Sequence, residues 1–324
     1  MITRRSALVS LMSLLAAPIA SEAQQTGKVY RIGALSELPR YTPTVERWQR
    51  ALARRGYAEG QNAIFEFRWG DGTAATLRMR AAELVSLNPD IILTTGHPAA
   101  VAAKQATTTI PIITTSADPL HDGLVASLGR PGGNVTGVVT PFADLAAKRV
   151  QLLKEAAPDI VSLAIIFNPS SPTARLQTAG AEAAARALGI TPQLIGLSSK
   201  AEIEGVFATI IARRMRAVVV MQDAVTFQSG PAIAKFAAKH QLPASLPYRE
   251  HAEAGGLMSY GLDLQEIMDL AAFAADKILR GANPADFPMQ QPVKFEFIIN
   301  RRTARALGLT IPPSLLLRAD QIIE

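Results

Sequence analysis

The sequence predicts an α/β protein built from two doubly wound parallel-sheet domains. Short apolar runs alternate with helical patterns from residue 29 to residue 259, as parallel strands covered by helices on both faces do. Ala51-Leu52-Ala53-Arg54-Arg55-Gly56-Tyr57 closes a helix and leads into a strand, and Ala184-Ala185-Arg186-Ala187-Leu188-Gly189-Ile190 does the same. The second half thus repeats the first, as a clamshell requires and a single enzyme domain does not. With an N-terminal leader of 23 residues set aside, 301 of the 324 remain, enough for two cores of ordinary size.

In the first half, residues 29–35 read as a strand and 45–55 as a helix stopped by Gly56, a residue suited to the left-handed position after a helix. Residues 63–68 make a second strand, and 76–87 a helix ended by Asn88-Pro89. The run 90–94 is apolar enough for burial on both faces, as parallel strands are. A short helix over 99–107 and a fourth strand over 111–115 follow. The turn Arg130-Pro131-Gly132-Gly133-Asn134 then delivers a fifth strand, 135–139. It is no phosphate loop, because it precedes a strand and lacks the Gly-Lys-Ser/Thr ending.

The second half runs helix 145–156, strand 162–167, helix 173–188 stopped at Gly189, and strand 192–197. Helix 202–214, strand 217–221, helix 227–239, strand 243–246 and a last short strand 256–259 complete it.

Arg4 and Arg5 precede an apolar stretch over 7–20, and Ser21-Glu22-Ala23 places small residues at −3 and −1. This reads as a cleavable signal peptide over 1–23, hence periplasmic export by the general secretory or, given Arg4-Arg5, the twin-arginine route. The stretch falls short of the roughly 20 residues of a membrane span, so no stable membrane insertion is expected after cleavage. With 0 Cys there is no lipid anchor, disulfide, thiolate nucleophile or Cys-ligated metal. The net charge of +6 is dispersed, with no Lys/Arg run longer than two, which argues against a nucleic-acid groove.

Signs of catalysis are thin. His97, His121, His240 and His251 lie far apart without metal-ligand spacing. There is no Gly-x-Ser-x-Gly elbow, and Ser36-Glu37-Leu38-Pro39-Arg40 stands where a dinucleotide fingerprint would follow the first strand. No enzyme activity, catalytic residue, cofactor or metal is expected.

Ligands of open parallel sheets bind beyond the carboxyl ends of the strands. Those ends carry Ser36-Glu37, Thr95-Gly96-His97-Pro98 and Ser116-Ala117-Asp118-Pro119 in the first half. In the second they carry Asn168-Pro169-Ser170-Ser171, Gln222-Asp223 and Pro247-Tyr248. Hydroxyls, amides, single carboxylates and a Tyr orient a polar small molecule, and nearby helix N-termini favour an anion. The candidate ligand-binding residues are Ser36, Glu37, Thr95, Gly96, His97, Ser116, Asp118, Asn168, Asp223 and Tyr248. Local structure competes for several of them. Thr95, Ser116 and Asp118 could cap helices, Asn168 could only turn the chain, and Tyr248 could be a satisfied half-buried ring.

The chain also resembles the ABC transporter substrate-binding family that includes tryptophan- and tyrosine-binding lipoproteins. The resemblance is carried by Gly56-Tyr57-Ala58-Glu59-Gly60-Gln61-Asn62, Asp122-Gly123-Leu124-Val125-Ala126-Ser127-Leu128 and Glu253-Ala254-Gly255-Gly256-Leu257-Met258-Ser259-Tyr260-Gly261. Ala306-Leu307-Gly308-Leu309-Thr310-Ile311-Pro312-Pro313-Ser314 completes it. It implies a type I periplasmic-binding fold whose three-crossover hinge lies near Thr140-Pro141, Tyr260-Gly261 and 290–293. The lobes would comprise 29–140 with 262–290, and 141–260 with 293–324. It further implies a monomer that captures a small molecule, an amino acid foremost and possibly aromatic in side chain, and hands it to the membrane permease of an ABC importer. A sensing subunit for a membrane receptor is the alternative, with an enzyme on the same scaffold behind it.

Overall fold

The central strands of the first sheet are buried on both faces by helix layers, whereas the edge strand that carries Ile64 is partly exposed. The computed structural model describes residues 28–37, 42–71, 73–116, 118–140, 142–171 and 173–324, without the side chains of 42–45 and 142–144. The expected signal peptide, Ala117 and Pro141 lie outside the described residues.

The first half contains β1 (Tyr30–Ser36), α1 (Thr42–Ala53), β2 (Ala63–Trp69), α2 (Ala74–Ser86), β3 (Ile91–Thr95), α3 (His97–Ala106), β4 (Ile112–Ser116) and β5 (Val135–Val139). The second begins with α4 (Phe142–Ala156), β6 (Ser162–Phe167), α5 (Ala174–Ala187), β7 (Thr191–Gly196), α6 (Ile203–Ala212), β8 (Val218–Val220), α7 (Ala224–Lys239) and β9 (Ala244–Leu246). It continues with α8 (Arg249–Glu253), β10 (Met258–Leu262), α9 (Leu264–Leu279), β11 (Phe295–Asn300), α10 (Arg301–Ala306), α11 (Pro313–Leu316) and β12 (Gln321–Ile323).

The first sheet is five-stranded in the order β2-β1-β3-β4-β5, all parallel. The second is seven-stranded, β12-β11-β10-β9-β8-β6-β7, with β11 antiparallel to β10. Read from β7 inward, its parallel part runs β7-β6-β8-β9-β10, the same winding as the first sheet. Each sheet therefore has a point where the strand order reverses, between β1 and β3 and between β6 and β8. At such points the connections leave to opposite faces and open a crevice.

The period of two sorts the side chains. Ile91 and Leu93 enter one core of the first sheet, with Ile32, Trp48 and Leu52, while Ile92 enters the other with Leu84 and Ala103. In β8, Val219 joins Leu163 and Ile165, whereas Val218 and Val220 join Ile166 and Ile210. Late in the chain α9 returns to the first sheet, where Ile267, Ala271 and Ala275 pack with Ile32 and Ile113. Tyr260 packs against cores of both sheets.

Some sequence expectations shift. The expected strand 256–259 is β10, Met258–Leu262, because Gly255 still turns with a φ of +118°. Tyr260 and Gly261, expected at a connection, are strand residues paired with Phe297 and Glu296. Helix α7 starts at Ala224 rather than 227, because Asp223 caps it: its Oδ1 accepts from Thr226 N at 2.8 Å, and Thr226 Oγ1 accepts from Asp223 N at 3.0 Å. The short elements α8, α10, α11 and β12 carry too little periodicity to be read from sequence.

Candidate functional site

The two switch points open onto one cavity of about 330 Å³. Ser36, Glu37, Thr95, Gly96 and His97 line it from the ends of β1 and β3. Asn168, Gln222, Asp223 and Tyr248 line it from the second half.

Glu37 leaves β1 with its backbone N–H donating to Thr95 O at 3.4 Å. Its carboxyl rests on Gly96, where a Cβ would fall 2.5 Å from Glu37 Cδ and Oε2. Gly96 has a φ of +88° and caps α3 without a side-chain bond, so the carboxyl sits at the positive end of that helix. Burial nevertheless raises the Glu37 pKa from 4.5 to about 8, and the Asp223 carboxylate adds repulsion. Asp223 is raised as well, by burial, although Thr226 and Asn168 bond its charged form. Two desolvated carboxyls from opposite halves thus meet in one cleft. Such a pair is relieved by a proton or a ligand cation.

Thr95 is the last residue of β3 and does not cap α3; Gly96 takes that place. His97 Nδ1 lies 2.6 Å from Asp122 Oδ2. Burial lowers the His97 pKa, opposed by Asp122 and Asp118. Asn168 does turn the chain, its Oδ1 accepting from Ser170 N at 2.9 Å, yet it also reaches Asp223. Tyr248 is buried and meets Phe227 edge-on, centroids 4.7 Å apart at 85°.

Two expected residues lie elsewhere. Thr115 lines the cavity, so the strand alternation turns the adjacent Ser116 into the interior, where it is 2% exposed. Asp118 is absent from the lining; its Oδ1 accepts from His121 N at 3.1 Å and closes its own turn.

Sequence reasoning left out the apolar wall of the cavity. Trp69 ends β2, Phe227 lies on α7, and Ile267 and Met268 arrive on α9. Gln222 was visible beside Asp223 at a strand end, whereas nothing local marks Ile267 or Met268. Arg47 lines the cavity from α1 and ion-pairs with Glu250 of α8, tying the halves together at its mouth. Among the described residues no group of three His, Cys, Asp or Glu could hold a metal ion, and no helix is long and apolar enough to cross a membrane.

Two sheets whose parallel parts share one winding, with polar groups converging on one cavity from both switch points, define a two-lobed binding protein of the type I periplasmic class. The model of the ABC transporter substrate binding protein family matches residues 35–323, and the chain belongs to that family. A tyrosine-binding protein of Clostridioides difficile is 28% identical over 279 residues, 86% of this chain and 80% of its own length. An ABC domain in complex with L-Trp from Streptococcus pneumonia superposes with a TM-score of 0.81 at 27% identity, covering 91% of this chain and 99% of that one. A conserved domain protein from Vibrio cholerae O1 biovar El Tor also gives 0.81, at 26% identity, covering 91% of this chain and all of that one. The family is one of substrate-binding proteins, which work with ABC permeases.

Proposed function

We propose that this protein is a periplasmic solute-binding subunit that captures an amino acid, foremost an aromatic one, between its lobes and delivers it to an ABC importer. The observation that carries this reading is the mixed lining of the cavity, which brings the carboxyls of Glu37 and Asp223 together with the apolar side chains of Trp69, Phe227, Ile267 and Met268. An α-ammonium meets the carboxyl pair, a charge-assisted contact worth roughly 1.5–3 kcal/mol per bond, while a ring packs on the apolar residues. The tyrosine-binding relative and the L-Trp complex support the same ligand class. In this reading the signal peptide over 1–23 directs export, and the mature chain works as a monomer.

A thermal-shift screen over the amino acids, small carboxylates, nucleosides and sugars tests it. A ligand at a hundredfold excess over Kd stabilises the folded state by about 2.7 kcal/mol. Tyrosine or tryptophan should give the largest shift. A folded protein that responds to nucleosides or sugars and to no amino acid overturns the assignment.

A further inference from the structure

Proline has no N–H, so inside a helix it cannot donate to the carbonyl four residues earlier. Helix α7 carries Pro231 in its interior, and the carbonyl concerned is that of Phe227, a cavity-lining residue. His251 of α8 supplies a donor there: its Nε2 lies 3.0 Å from Phe227 O. A carbonyl only accepts, so Nε2 carries the hydrogen. Burial pushes the His251 pKa from 6.5 down to about 4, so the ring is neutral at pH 7 and Nδ1 holds the lone pair. Nδ1 has no hydrogen-bond partner among the described residues, which leaves Phe227 O as the polar anchor of the imidazole. Gly230 makes room for the ring, since a Cβ there would fall 2.1 Å from His251 Nε2 and 2.2 Å from Cε1. Gly230, Pro231 and His251 thus act as one unit: the glycine opens the helix surface, the proline withholds its donor, and the imidazole provides one.

The same residue also holds Tyr248, the neighbour of Phe227 in the cavity lining. The backbone N–H of His251 donates to Tyr248 O at 3.0 Å. Its ring stands 5.4 Å from the Tyr248 ring at 87° and 5.7 Å from the Phe227 ring at 45°. His251 itself is 1% exposed and absent from the cavity lining. It therefore touches both aromatic residues from behind, by one hydrogen bond and one ring contact each.

We propose that His251 is a positioning residue for ligand specificity: its bond to Phe227 O fixes the perpendicular pair of Phe227 and Tyr248, and that preformed corner selects ligands that carry an aromatic ring. Contacts between rings depend on their mutual angle and offset, whereas burial of an aliphatic side chain is non-directional. A corner ordered before the ligand arrives also spares the cost of ordering it on binding. Loosening the pair therefore weakens a ring ligand more than an aliphatic one. The inference rests on the amino-acid reading above and deepens it.

The test is selectivity with rescue. L-tyrosine, L-tryptophan, L-leucine and L-isoleucine are titrated calorimetrically into the wild type, His251→Leu, His251→Gln and the double variant of His251→Leu with Pro231→Ala. The wild type should prefer the aromatic pair by about thirtyfold or more. His251→Leu, close in volume, should cut that ratio by about tenfold. His251→Gln, whose amide can still donate to Phe227 O, should keep most of it. Adding Pro231→Ala to His251→Leu returns a helical N–H to Phe227 O and should bring the ratio back to within about threefold of the wild type. A merely structural role weakens all four ligands alike and leaves the ratio intact, which overturns the proposal while amino-acid binding stands. A double variant no better than His251→Leu alone overturns it as well, as does a wild type that binds aliphatic and aromatic ligands equally. Nitrogen NMR of the unliganded wild type at pH 7 checks the bond without any variant: the proton should sit on Nε2, and a proton on Nδ1 overturns the unit. A wild type that binds none of the four overturns the amino-acid reading and the specificity role together.

Discussion

The two edges of the cleft have the same winding but are built differently. On the first-sheet side, Glu37 rests on the bare backbone of Gly96, and Asp223 opposite adds repulsion. On the second-sheet side, Asp223 is held in a reciprocal cap with Thr226 and approached by Asn168, while Gln177 clamps the backbone of Gln222. The second edge is braced by these bonds, yet Asp223 Oδ2 has no hydrogen-bond partner among the described residues. Burial and the Asp223 charge together favour a proton on Glu37, which a ligand cation would displace. That asymmetry gives a binding protein a fixed platform and a responsive counterpart.

The harshest way to break the comparison is Gly96→Ala. The new Cβ would strike the Glu37 carboxyl in a backbone conformation that L side chains rarely adopt. The strain should cost about 1–3 kcal/mol of stability. Affinity should fall by about a hundredfold or more, since Glu37 is displaced. Retained affinity in calorimetry, with the variant folded, would show that the Glu37 seat is irrelevant to recognition.

Glu37→Gln sharpens it through pH. The folded-state pKa of about 8 lies above the ordinary 4.5, so the folded protein holds a proton that the unfolded chain releases. The unliganded protein should lose stability as pH rises towards 8. His251, lowered from 6.5 to about 4 by burial, acts in the opposite sense, but only below pH 6.5, as does the lowered His97. Between pH 6.5 and 8 the Glu37 contribution should be about 2 kcal/mol, and Glu37→Gln should flatten it in melts across that window. Binding of a cationic ligand should release a proton there and tighten with pH in the wild type. Asp223→Asn, whose amide still caps α7, should leave most of the slope in place. A slope unchanged in Glu37→Gln would move the titrating group elsewhere.

The smallest effect is expected at Asp118, the other carboxylate at a strand end. Its Oδ1 closes a turn outside the cavity, and Asn supplies the same acceptor. Asp118→Asn should keep affinity within about twofold and stability within about 0.5 kcal/mol. A tenfold loss of affinity would bring Asp118 into the site and remove the distinction between cap and contact.

Much of this molecule is written locally. Runs such as Ile91–Thr95 announce buried strands, and alternation with helices announces parallel sheets, because a parallel strand needs a crossover to return. The chemistry at the strand ends was legible for the same reason: a side chain just past a strand at the switch point has little choice but the crevice. Glu37, Gly96, Asn168 and Asp223 are of this kind.

Where a side chain points, and which residues of a returning helix reach the cavity, only the tertiary structure decided. Ser116 turned inward and Asp118 turned back on its own loop, each by a single register step or a local hydrogen bond too small to leave a pattern. Ile267 and Met268 reach the cavity because α9 folds back onto the first sheet, a long-range packing choice driven by apolar area, which is non-directional. His251 reads as a solitary histidine until α8 packs against α7 and buries it beside Phe227. Sequence by itself determined the longer elements and most of the polar groups that line the cavity. Tertiary packing decided which rim residues share a cavity, what apolar wall faces them, and which buried ring stands behind them.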